Sequence, residues 1–368
     1  MGLRAVLLGT GVIAGQHALA LRALEGAVEL VAVCDIDPIK GEAFRKTWSV
    51  AEYYRDLDAM LERLKPEVVH VLLPPAAHAR AVIECLERGC DVFVEKPFCV
   101  SSEECRSVLQ VAESHGRQIG VDHNLIFMPV LVEAMREIDK GRLGRVRHVT
   151  VMYQLPMDGL TEWRQEHWMF AKPEHIVLEL GPHPISVIYR ILGEIESASA
   201  IVSRERVLEN GELFFESWQA SFLCRGGTAQ LLLGRAEGYP NAWVHILGER
   251  GGALADLRRD VLRVSESTRY SRAEHLLDGW KNGSRWIGRS TRNFARQAAG
   301  RLGLGRMYDT QALSIQASIR AFYEALMAGK RVPVSGEDGA AVVRVCEDVI
   351  RGAMEFRSAS GRDASVRR

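Results

Sequence analysis

The first part of the chain alternates short apolar runs with segments whose apolar residues recur every three or four positions. The former pattern is typical of buried strands, and the latter of amphipathic helices. Strands are predicted at 3–8, 28–34, 68–73, 92–94 and 119–121, and helices at 13–24, 39–47, 57–64, 76–88, 101–115 and 130–139. Strands that alternate with helices in this way favour right-handed crossovers on a parallel sheet.

Beyond about residue 146 the pattern changes to strands in which apolar and polar positions alternate, which suits an antiparallel sheet. These strands are predicted at 148–154, 199–203, 214–223, 228–233 and 242–247, with closing helices at 311–328 and 339–354. We therefore predict an α/β Rossmann domain over 1–122, then an α+β domain with a mainly antiparallel open sheet over 123–357. A polar tail, 358–368, is predicted to be disordered.

The composition excludes some classes of protein. The 368 residues include 47 basic and 47 acidic side chains, so no overall charge attracts a nucleic acid, and none is expected as a partner. Seven cysteines without a CxxC pair indicate reduced thiols. Because no export leader and no membrane-length apolar run is seen, the sequence predicts a cytoplasmic location. No metal is expected.

The segment after the first predicted strand fits the pattern G-x-G-x-x-A: Gly9, Thr10, Gly11, Val12, Ile13 and Ala14. In such a segment the first glycine permits a tight turn, the second admits a pyrophosphate, and a small third residue lets the helix pack closely on the sheet. The alternative is an ordinary glycine turn. Asp35 then ends the second predicted strand, about 20 residues further on, where a carboxylate bonds the ribose and repels a 2′-phosphate. We expect NAD(H) rather than NADP(H).

Further segments resemble the glucose-fructose oxidoreductase and inositol dehydrogenase family (Gfo/Idh/MocA). Residues 73–78 are similar to its T-P-P-x-x-H loop, 95–97 to its E-K-P signature, 179–183 to its D-x-G-x-H segment and 334–339 to its closing G-E-D-G turn. The resemblance covers most of the chain. It implies a Rossmann domain followed by a mainly antiparallel sheet whose face holds the substrate. It also implies that the cofactor contacts a further set of residues: Pro74, Pro75, His78, Glu95, Lys96 and Asn124.

Two of the residues in these segments are candidate catalysts. Lys96 follows a predicted strand and therefore lies outside the carboxyl end of the parallel sheet, where its ammonium can hold an alcohol or carbonyl oxygen. His183 can take or give a proton near neutral pH, and Glu179, four residues earlier, can orient its ring. An exposed lysine and a packed histidine are the alternatives. Glu179 and Ser186 depart from the family, which usually carries Asp at both positions.

A cluster of aromatic and basic residues precedes His183. Tryptophan faces stack on sugar rings and arginine binds hydroxyl or phosphate oxygens, so we expect a substrate rim here; a loop folded on its own small core is the alternative. The candidate substrate residues are Tyr153, Trp163, Arg164 and Trp168, with His167 and His175 beside them.

The segment 281–306 carries seven basic residues and no acidic one, and its apolar residues Ile287, Phe294, Ala298 and Leu302 fall roughly on one helical face. This pattern predicts an amphipathic basic helix. Such a helix contacts an anionic surface or phosphate groups, or it packs on the second domain or a partner subunit.

The sequence therefore predicts an NAD(H)-dependent oxidoreductase that transfers a hydride between the nicotinamide and a hydroxyl or keto carbon of a sugar, cyclitol or nucleotide sugar. Two alternatives remain open. One is an NAD-dependent lyase or glycosidase that works through transient oxidation, and the other is a cofactor-sensing regulator without chemistry. Partners are expected to be a sugar-like small molecule and further copies of the chain, as a dimer or tetramer.

Overall fold

The computed structural model describes residues 2–24, 26–156, 167–208, 211–236, 238–266, 272–304 and 308–360. The chain forms two compact units. The first unit comprises Met1–Asn124 and Ala312–Arg344, and the second comprises Leu125–Gln311 and Val345–Arg368.

The first unit is built on a six-stranded parallel sheet. Its strands are β1 (Leu3–Leu8), β2 (Val28–Cys34), β3 (Glu52–Tyr54), β4 (Val68–Val71), β5 (Asp91–Val94) and β6 (Ile119–Val121). They are ordered β3-β2-β1-β4-β5-β6, and the pairs are all parallel. The central strands are almost wholly buried, as their continuous apolar runs require. The predicted Rossmann fold is confirmed, although β3 was not predicted.

Helices connect these strands: α1 (Ala14–Arg22), α2 (Pro38–Thr47), α3 (Leu57–Leu64), α4 (His78–Glu87) and α5 (Ser102–His115). The predicted cap at Ser101 is present, since its side chain accepts a hydrogen bond from the Glu104 amide. The strand order reverses between β1 and β4, because β2 and β3 lie on one side of β1 and β4, β5 and β6 lie on the other. Ligands of such sheets bind outside the carboxyl ends of the strands at this switch point.

The chain returns to the first unit after the second, which corrects the prediction of one unbroken domain over 123–357. Most of α10 (Thr310–Met327) belongs to the first unit. Its Phe322 ring lies 5.0 Å from that of Phe93 in β5, and its Tyr323 is fully buried and bonds His70 in β4. Burial of these two aromatic side chains under the parallel sheet favours the return.

The second unit contains a seven-stranded sheet. Its strands are β7 (Val146–Pro156), β8 (Ile195–Val207), β9 (Leu213–Cys224), β10 (Gly227–Ala236), β11 (Asn241–Gly248), β12 (Gly251–Asp256) and β13 (Val261–Glu266). The order is β13-β12-β11-β7-β10-β9-β8, and β7 and β10 pair in parallel while the other neighbours are antiparallel. The mainly antiparallel sheet is confirmed. The last two strands, β12 and β13, were not predicted.

Helices of the second unit are α6 (Pro129–Asp139), α7 (His175–Leu180), α8 (Pro182–Leu192) and α9 (Arg272–Arg301), and α11 (Gly336–Ala359) ends in this unit. The helix α11 continues into the predicted disordered tail, and residues 361–368 lie outside the described part. Among the described residues, no helix is long and apolar enough to cross a membrane. All seven cysteines are buried thiols.

Candidate functional site

The glycine segment forms a tight loop between β1 and α1. Gly9 has a φ of +100°, and a Cβ on it would meet the Leu72 carbonyl oxygen at 2.7 Å, so the position requires glycine. A Cβ on Gly11 would meet nothing within 4 Å, which leaves open space beside its backbone. Ala14 is fully buried where α1 approaches the sheet. This is the division of roles that the G-x-G-x-x-A pattern predicts.

The N-terminus of α1 fits an anionic group. No side chain caps it, and its first turn contains no acidic residue. No acidic side chain of that first turn therefore competes with an anion for the positive end of the helix dipole. Val12 in the loop is fully exposed. These residues fit the pyrophosphate of a dinucleotide.

Asp35 stands at the end of β2, and its carboxylate organises the loop. One oxygen accepts hydrogen bonds from the Thr10 amide at 2.8 Å and the Thr10 hydroxyl at 2.6 Å, and the other accepts from the Asp37 amide at 2.9 Å. These donors hold Asp35 in one orientation beside the phosphate loop. Next to it, Ile36 is 82% exposed and forms an apolar surface that no sequence motif marked.

The loop after β4 is tied to the loop after β5 through His78. One ring nitrogen lies 2.8 Å from the Pro97 carbonyl oxygen, and the other lies 2.8 Å from that of Leu73. Burial lowers the pKa of His78, although the two carbonyls partly oppose this. Pro74 and Pro75 lie within the loop that His78 fixes. The side chain therefore positions both loops at the carboxyl edge of the sheet.

Glu95 and Lys96 directly follow β5, at the same edge as the glycine loop. The Glu95 carboxylate accepts a hydrogen bond from the Lys96 amide at 3.2 Å and lies 3.1 Å from a ring nitrogen of His17 in α1. The other ring nitrogen of His17 lies 2.9 Å from His70, whose ring bonds the Tyr323 hydroxyl at 2.9 Å. A buried chain of hydrogen bonds thus runs from α10 to the residue next to Lys96.

Sequence reasoning missed this chain. Its signals were a histidine inside the apolar run of β4 and a second histidine on the buried face of α1. Burial lowers the pKa of His70 well below its ordinary value, and His17 adds to this, so His70 stays neutral. His70 therefore carries no charge and helps to fix Glu95 through its contact with His17.

Asp122, at the end of β6, forms a coupled carboxyl pair with Glu95. Burial and the charge of Glu95 raise the pKa of Asp122 well above its ordinary value. Burial opposes ionisation of Glu95 as well, but His17 and Lys96 outweigh it and lower the pKa of this carboxyl. These opposite shifts favour a pair that shares one proton and carries one negative charge between the two carboxyls.

Ligand atoms of His17, Glu95 and Asp122 lie within 4.8 Å of one another, as they would around a metal ion. A carboxyl that keeps its proton is a poor ligand, and His17 already contacts Glu95 at hydrogen-bond distance. The grouping therefore fits a proton-sharing cluster. Asn124, which follows it, is buried and donates to the Ser314 hydroxyl at 2.9 Å.

His183 lies in the second unit, in the first turn of α8. Pro182 begins that helix and Pro184 follows the histidine, and both are buried. The His183 ring is 5.9 Å from the ring of Tyr153, which projects from the centre of β7. Burial raises the pKa of Tyr153 to about 12, so its hydroxyl stays protonated at neutral pH. Ser186, at the position of the family's second Asp, donates to the His183 carbonyl at 2.8 Å.

Glu179 in α7 accepts a hydrogen bond from the Trp168 indole nitrogen at 2.8 Å. Trp168 is held further by His175, whose ring packs 4.9 Å from the indole and whose nitrogen lies 2.7 Å from the Trp168 carbonyl oxygen. His167 caps the short turn that contains Trp168. Four of the predicted substrate-side residues are therefore described in one unit with His183, namely Tyr153, His167, Trp168 and His175, whereas Trp163 and Arg164 lie outside the described residues.

A parallel sheet with a glycine loop, an open helix N-terminus and an acidic residue after the second strand defines a dinucleotide-binding protein of the Rossmann class. Two family models match this chain. Residues 3–123 match the oxidoreductase family with an NAD-binding Rossmann fold, and residues 131–254 match the GFO/IDH/MocA C-terminal domain. The chain belongs to the Gfo/Idh/MocA family, and the resemblance seen in the sequence motifs is confirmed.

Curated relatives include an inositol 2-dehydrogenase of Rhizobium meliloti, 23% identical over 98% of this chain and 99% of its own length. A D-glucoside 3-dehydrogenase of Escherichia coli is 27% identical over 52% of this chain and 54% of its own length. A D-apiose dehydrogenase of Paraburkholderia graminis is 24% identical over 57% of this chain and 55% of its own length. The chain thus matches just over half the length of these last two relatives.

Solved structures with this fold cover nearly the whole chain. An oxidoreductase of Agrobacterium radiobacter in complex with NAD+, L-tartaric acid and magnesium has a TM-score of 0.79 at 16% identity, and covers 97% of this chain and 98% of its own. A levoglucosan dehydrogenase in complex with NADH and levoglucosan has a TM-score of 0.78 at 18% identity, and covers 96% of this chain and 98% of its own. These similarities show the shared fold.

Proposed function

We propose that this protein is an NAD(H)-dependent dehydrogenase or ketoreductase that acts on a CH–OH group of a sugar, cyclitol or nucleotide sugar. The observation that carries the proposal is the position of Lys96 at the carboxyl edge of the parallel sheet, the edge that also holds the glycine loop and Asp35. A cationic side chain at the edge where a dinucleotide binds suits chemistry on an oxygen next to the nicotinamide.

The bound cofactor supplies the acceptor or donor for a hydride. For oxidation, we propose that the Lys96 ammonium holds the substrate oxygen and stabilises the negative charge that develops on it. His183 accepts the hydroxyl proton, and Glu179 orients the imidazole. In reduction, His183 returns that proton. The Glu95 carboxylate, fixed by His17, positions the backbone of Lys96.

The substrate class rests on relatives. The chain is similar to an inositol 2-dehydrogenase and to a levoglucosan dehydrogenase, and also to the WlbA dehydrogenase of Bordetella pertussis in complex with NADH and UDP-GlcNAcA. We propose that Tyr153 and Trp168 line the substrate side, with Trp163 and Arg164 as further members of that rim. We propose that Ile36 supports the adenine, since a flat apolar surface beside Asp35 suits a base.

We further propose a cytoplasmic homodimer or tetramer. The sheet of the second unit supports this, because one of its faces exposes apolar side chains among polar ones: Ile201, Leu223, Leu247 and Leu254. Exposed apolar side chains on one face of an open sheet favour association with a second copy.

A substrate screen tests the proposal. The purified protein is incubated with NAD+ and a panel of free sugars, cyclitols and nucleotide sugars, and the absorbance of reduced nicotinamide is followed. A dehydrogenase gives NADH in a one-to-one ratio to oxidised substrate. A lyase or glycosidase that works through transient oxidation consumes substrate without accumulating NADH, and this result would replace the proposed reaction. Binding of NADH with no turnover of any substrate would favour the regulator.

A further inference from the structure

The helix α9 packs against the second unit with its polar side. At about 100° per residue, four polar residues fall within about 60° of one another on the helix: Asp278, Asn282, Arg289 and Asn293. Asn282 and Asn293 are 7% and 9% exposed. A helix on the surface of a globular protein normally does the reverse and buries its apolar stripe.

The reason for this orientation is the edge of the mixed sheet. The strand β13 ends the sheet, and the Asn282 side chain accepts a hydrogen bond from the Val264 amide on that strand at 3.1 Å. Next to it, the Ser265 hydroxyl donates to Asp278 at 2.9 Å. Polar groups of α9 thus satisfy an open strand edge, and edges are commonly covered in this way.

Further along, buried charges hold the same face. Arg289 forms salt bridges with Asp260 at 2.8 Å and with Glu133, and its side chain is only 15% exposed. Asn293 donates to the Arg259 carbonyl at 3.3 Å. Because these contacts fix the rotation of α9 about its axis, they also decide which side chains face away from the protein.

The side that faces away is apolar. Leu276, Trp280, Ile287 and Phe294, called the outer stripe here, fall within about 40° of one another and roughly 150° from the polar face. Their exposures are 76%, 73%, 68% and 76%, in chain order. Four large apolar side chains exposed along about five turns of the helix mark a binding surface rather than scattered surface residues.

Basic residues lie between the outer stripe and the polar face, on one flank of the helix. Lys281, Arg285, Arg292 and Arg296 are exposed on the side of α9 next to the polar face. In contrast to Arg289, these four form no salt bridge within the part of the chain that the structure describes. A helix with an exposed aromatic and aliphatic stripe and exposed cations on its flank is one that lies on an anionic bilayer.

A second copy of α9 fits the outer stripe less well. Trp280, Ile287 and Phe294 recur every seven residues, but a coiled-coil seam requires a second apolar position in each heptad. Beyond Leu276 and Leu277, that position holds small or polar residues on either side: Gly283 and Ser290, or Ser284 and Thr291. Like charges along both helices would also oppose pairing.

We propose that α9 lies on an anionic phospholipid surface, with the outer stripe in the interface between headgroups and acyl chains and its cations on the headgroup phosphates. The surface is independent of the cofactor loop and of the proposed reaction. The protein would then be a peripheral membrane protein whose attachment depends on ionic strength.

Vesicle sedimentation tests the proposal. The full chain is mixed with vesicles made of equal parts phosphatidylglycerol and phosphatidylcholine, and with vesicles of phosphatidylcholine alone. We expect sedimentation with the anionic vesicles only, and its loss between about 0.1 M and about 1 M NaCl, as the Debye length falls from about 10 Å to about 3 Å.

Two variants separate the contributions. A stripe variant carries Trp280→Ser, Ile287→Ser and Phe294→Ser, and a charge variant carries Lys281→Gln, Arg285→Gln and Arg292→Gln. Since each basic residue near an anionic surface contributes roughly fivefold to binding, the charge variant should bind at least tenfold more weakly. The stripe variant should no longer sediment. A matched control with Lys46→Gln, Arg63→Gln and Arg80→Gln, exposed cations of the first unit, should bind as the unmodified protein does.

Light scattering and NADH titration complete the test. The substituted side chains are exposed, so each variant should keep the oligomeric mass and NADH affinity of the unmodified protein. Equal sedimentation with both vesicle types, none with either, or unchanged binding of the stripe variant would overturn the proposal. A lower oligomeric mass of the stripe variant would assign the outer stripe to a second copy instead, and would overturn it too.

Discussion

The parallel sheet of the first unit and the mixed sheet of the second carry their candidate site residues in different places. In the first unit the strands are buried, and the residues of interest follow strand ends: Gly9 after β1, Asp35 after β2 and Lys96 after β5. In the second unit Tyr153 projects from the middle of β7, and His183 and Glu179 stand on helices.

This difference in placement explains why sequence motifs locate site residues more readily in the first unit than in the second. Residues that follow buried parallel strands are brought to one edge by the topology alone. Their loops are fixed by hydrogen bonds between side chains and backbone groups, such as those of Asp35 and His78. Residues on a sheet face and on helices come together only through side-chain packing. The first arrangement suits a shared cofactor, whereas the second can vary with the substrate.

The largest effect is expected for the proposed chemistry, which uses Lys96 of the first unit and His183 of the second. Lys96→Ala and His183→Ala should each lower turnover by about 10²- to 10⁴-fold, since a positioned acid or base is worth that much, while NADH binding stays near that of the unmodified protein. Combined, they should lower it much less than the product of the two. Steady-state kinetics on an identified substrate would check this.

Controls for these variants are Lys65→Ala, at the end of α3, and His148→Ala, on β7. Both should leave turnover unchanged. Near-normal turnover of His183→Ala would return that histidine to a packing role, and a multiplicative double variant would show that the two residues do not serve one transition state.

Cofactor recognition is the next largest effect, and it should be confined to the first unit. Asp35→Ala should weaken NADH binding about ten- to a hundredfold, because one charge-assisted bond is worth about 1.5–3 kcal/mol. Fluorescence titration would measure it, with Asp58→Ala as the control. Tighter binding of NADPH than NADH by the unmodified protein would contradict the assignment.

Asp35 also holds Thr10, so a second variant separates its two roles. Thr10→Val removes the hydroxyl bond to Asp35 but keeps the carboxylate. If Asp35 acts on the ribose, Thr10→Val should weaken NADH binding far less than Asp35→Ala does. Equal losses would mean that the carboxylate acts through the loop.

On the second unit, a smaller effect is expected at Trp168. Trp168→Phe removes the hydrogen bond to Glu179, worth about 0.5–1.5 kcal/mol, so kcat/KM should fall about two- to twelvefold with NADH binding unchanged. Trp48→Phe in the first unit is the control. A loss of NADH affinity in Trp168→Phe would contradict the proposal that this residue serves the substrate side and not the cofactor side.

The smallest effect concerns stability at the buried pair of the first unit. Burial raises the pKa of Asp122, so the folded state binds a proton that the unfolded state releases above pH of about 4. Stability from this group is therefore present at low pH and lost as pH rises towards the folded pKa. Asp122→Asn keeps a donor to Glu95 and should gain stability relative to the unmodified protein as pH rises. Urea unfolding across pH would show it, and a pH-independent difference would contradict the assignment.

Much of the first unit could be predicted locally. The bounds of β1, β2 and α3 agree with the apolar patterns, because a buried parallel strand and an amphipathic helix each need one unbroken period. Asp35 and the glycine loop were recognisable for a similar reason, since their roles depend on backbone position within one βαβ unit. Short elements could not be predicted in this way, because β3 has three half-buried residues, too few to show a period.

Apart from β3 and the return of α10, the order of strands and helices in the first unit followed from the sequence alone, as did the cofactor loop and the family, since these depend on short-range periods and ordered motifs. Tertiary structure decided the rest. It brought Tyr323 beneath β4 and the His17–His70 pair beside Glu95, and it turned the polar face of α9 towards β13. Each depends on which distant groups must be buried or hydrogen-bonded together, and the need of a strand edge for partners is not visible in the local pattern of α9.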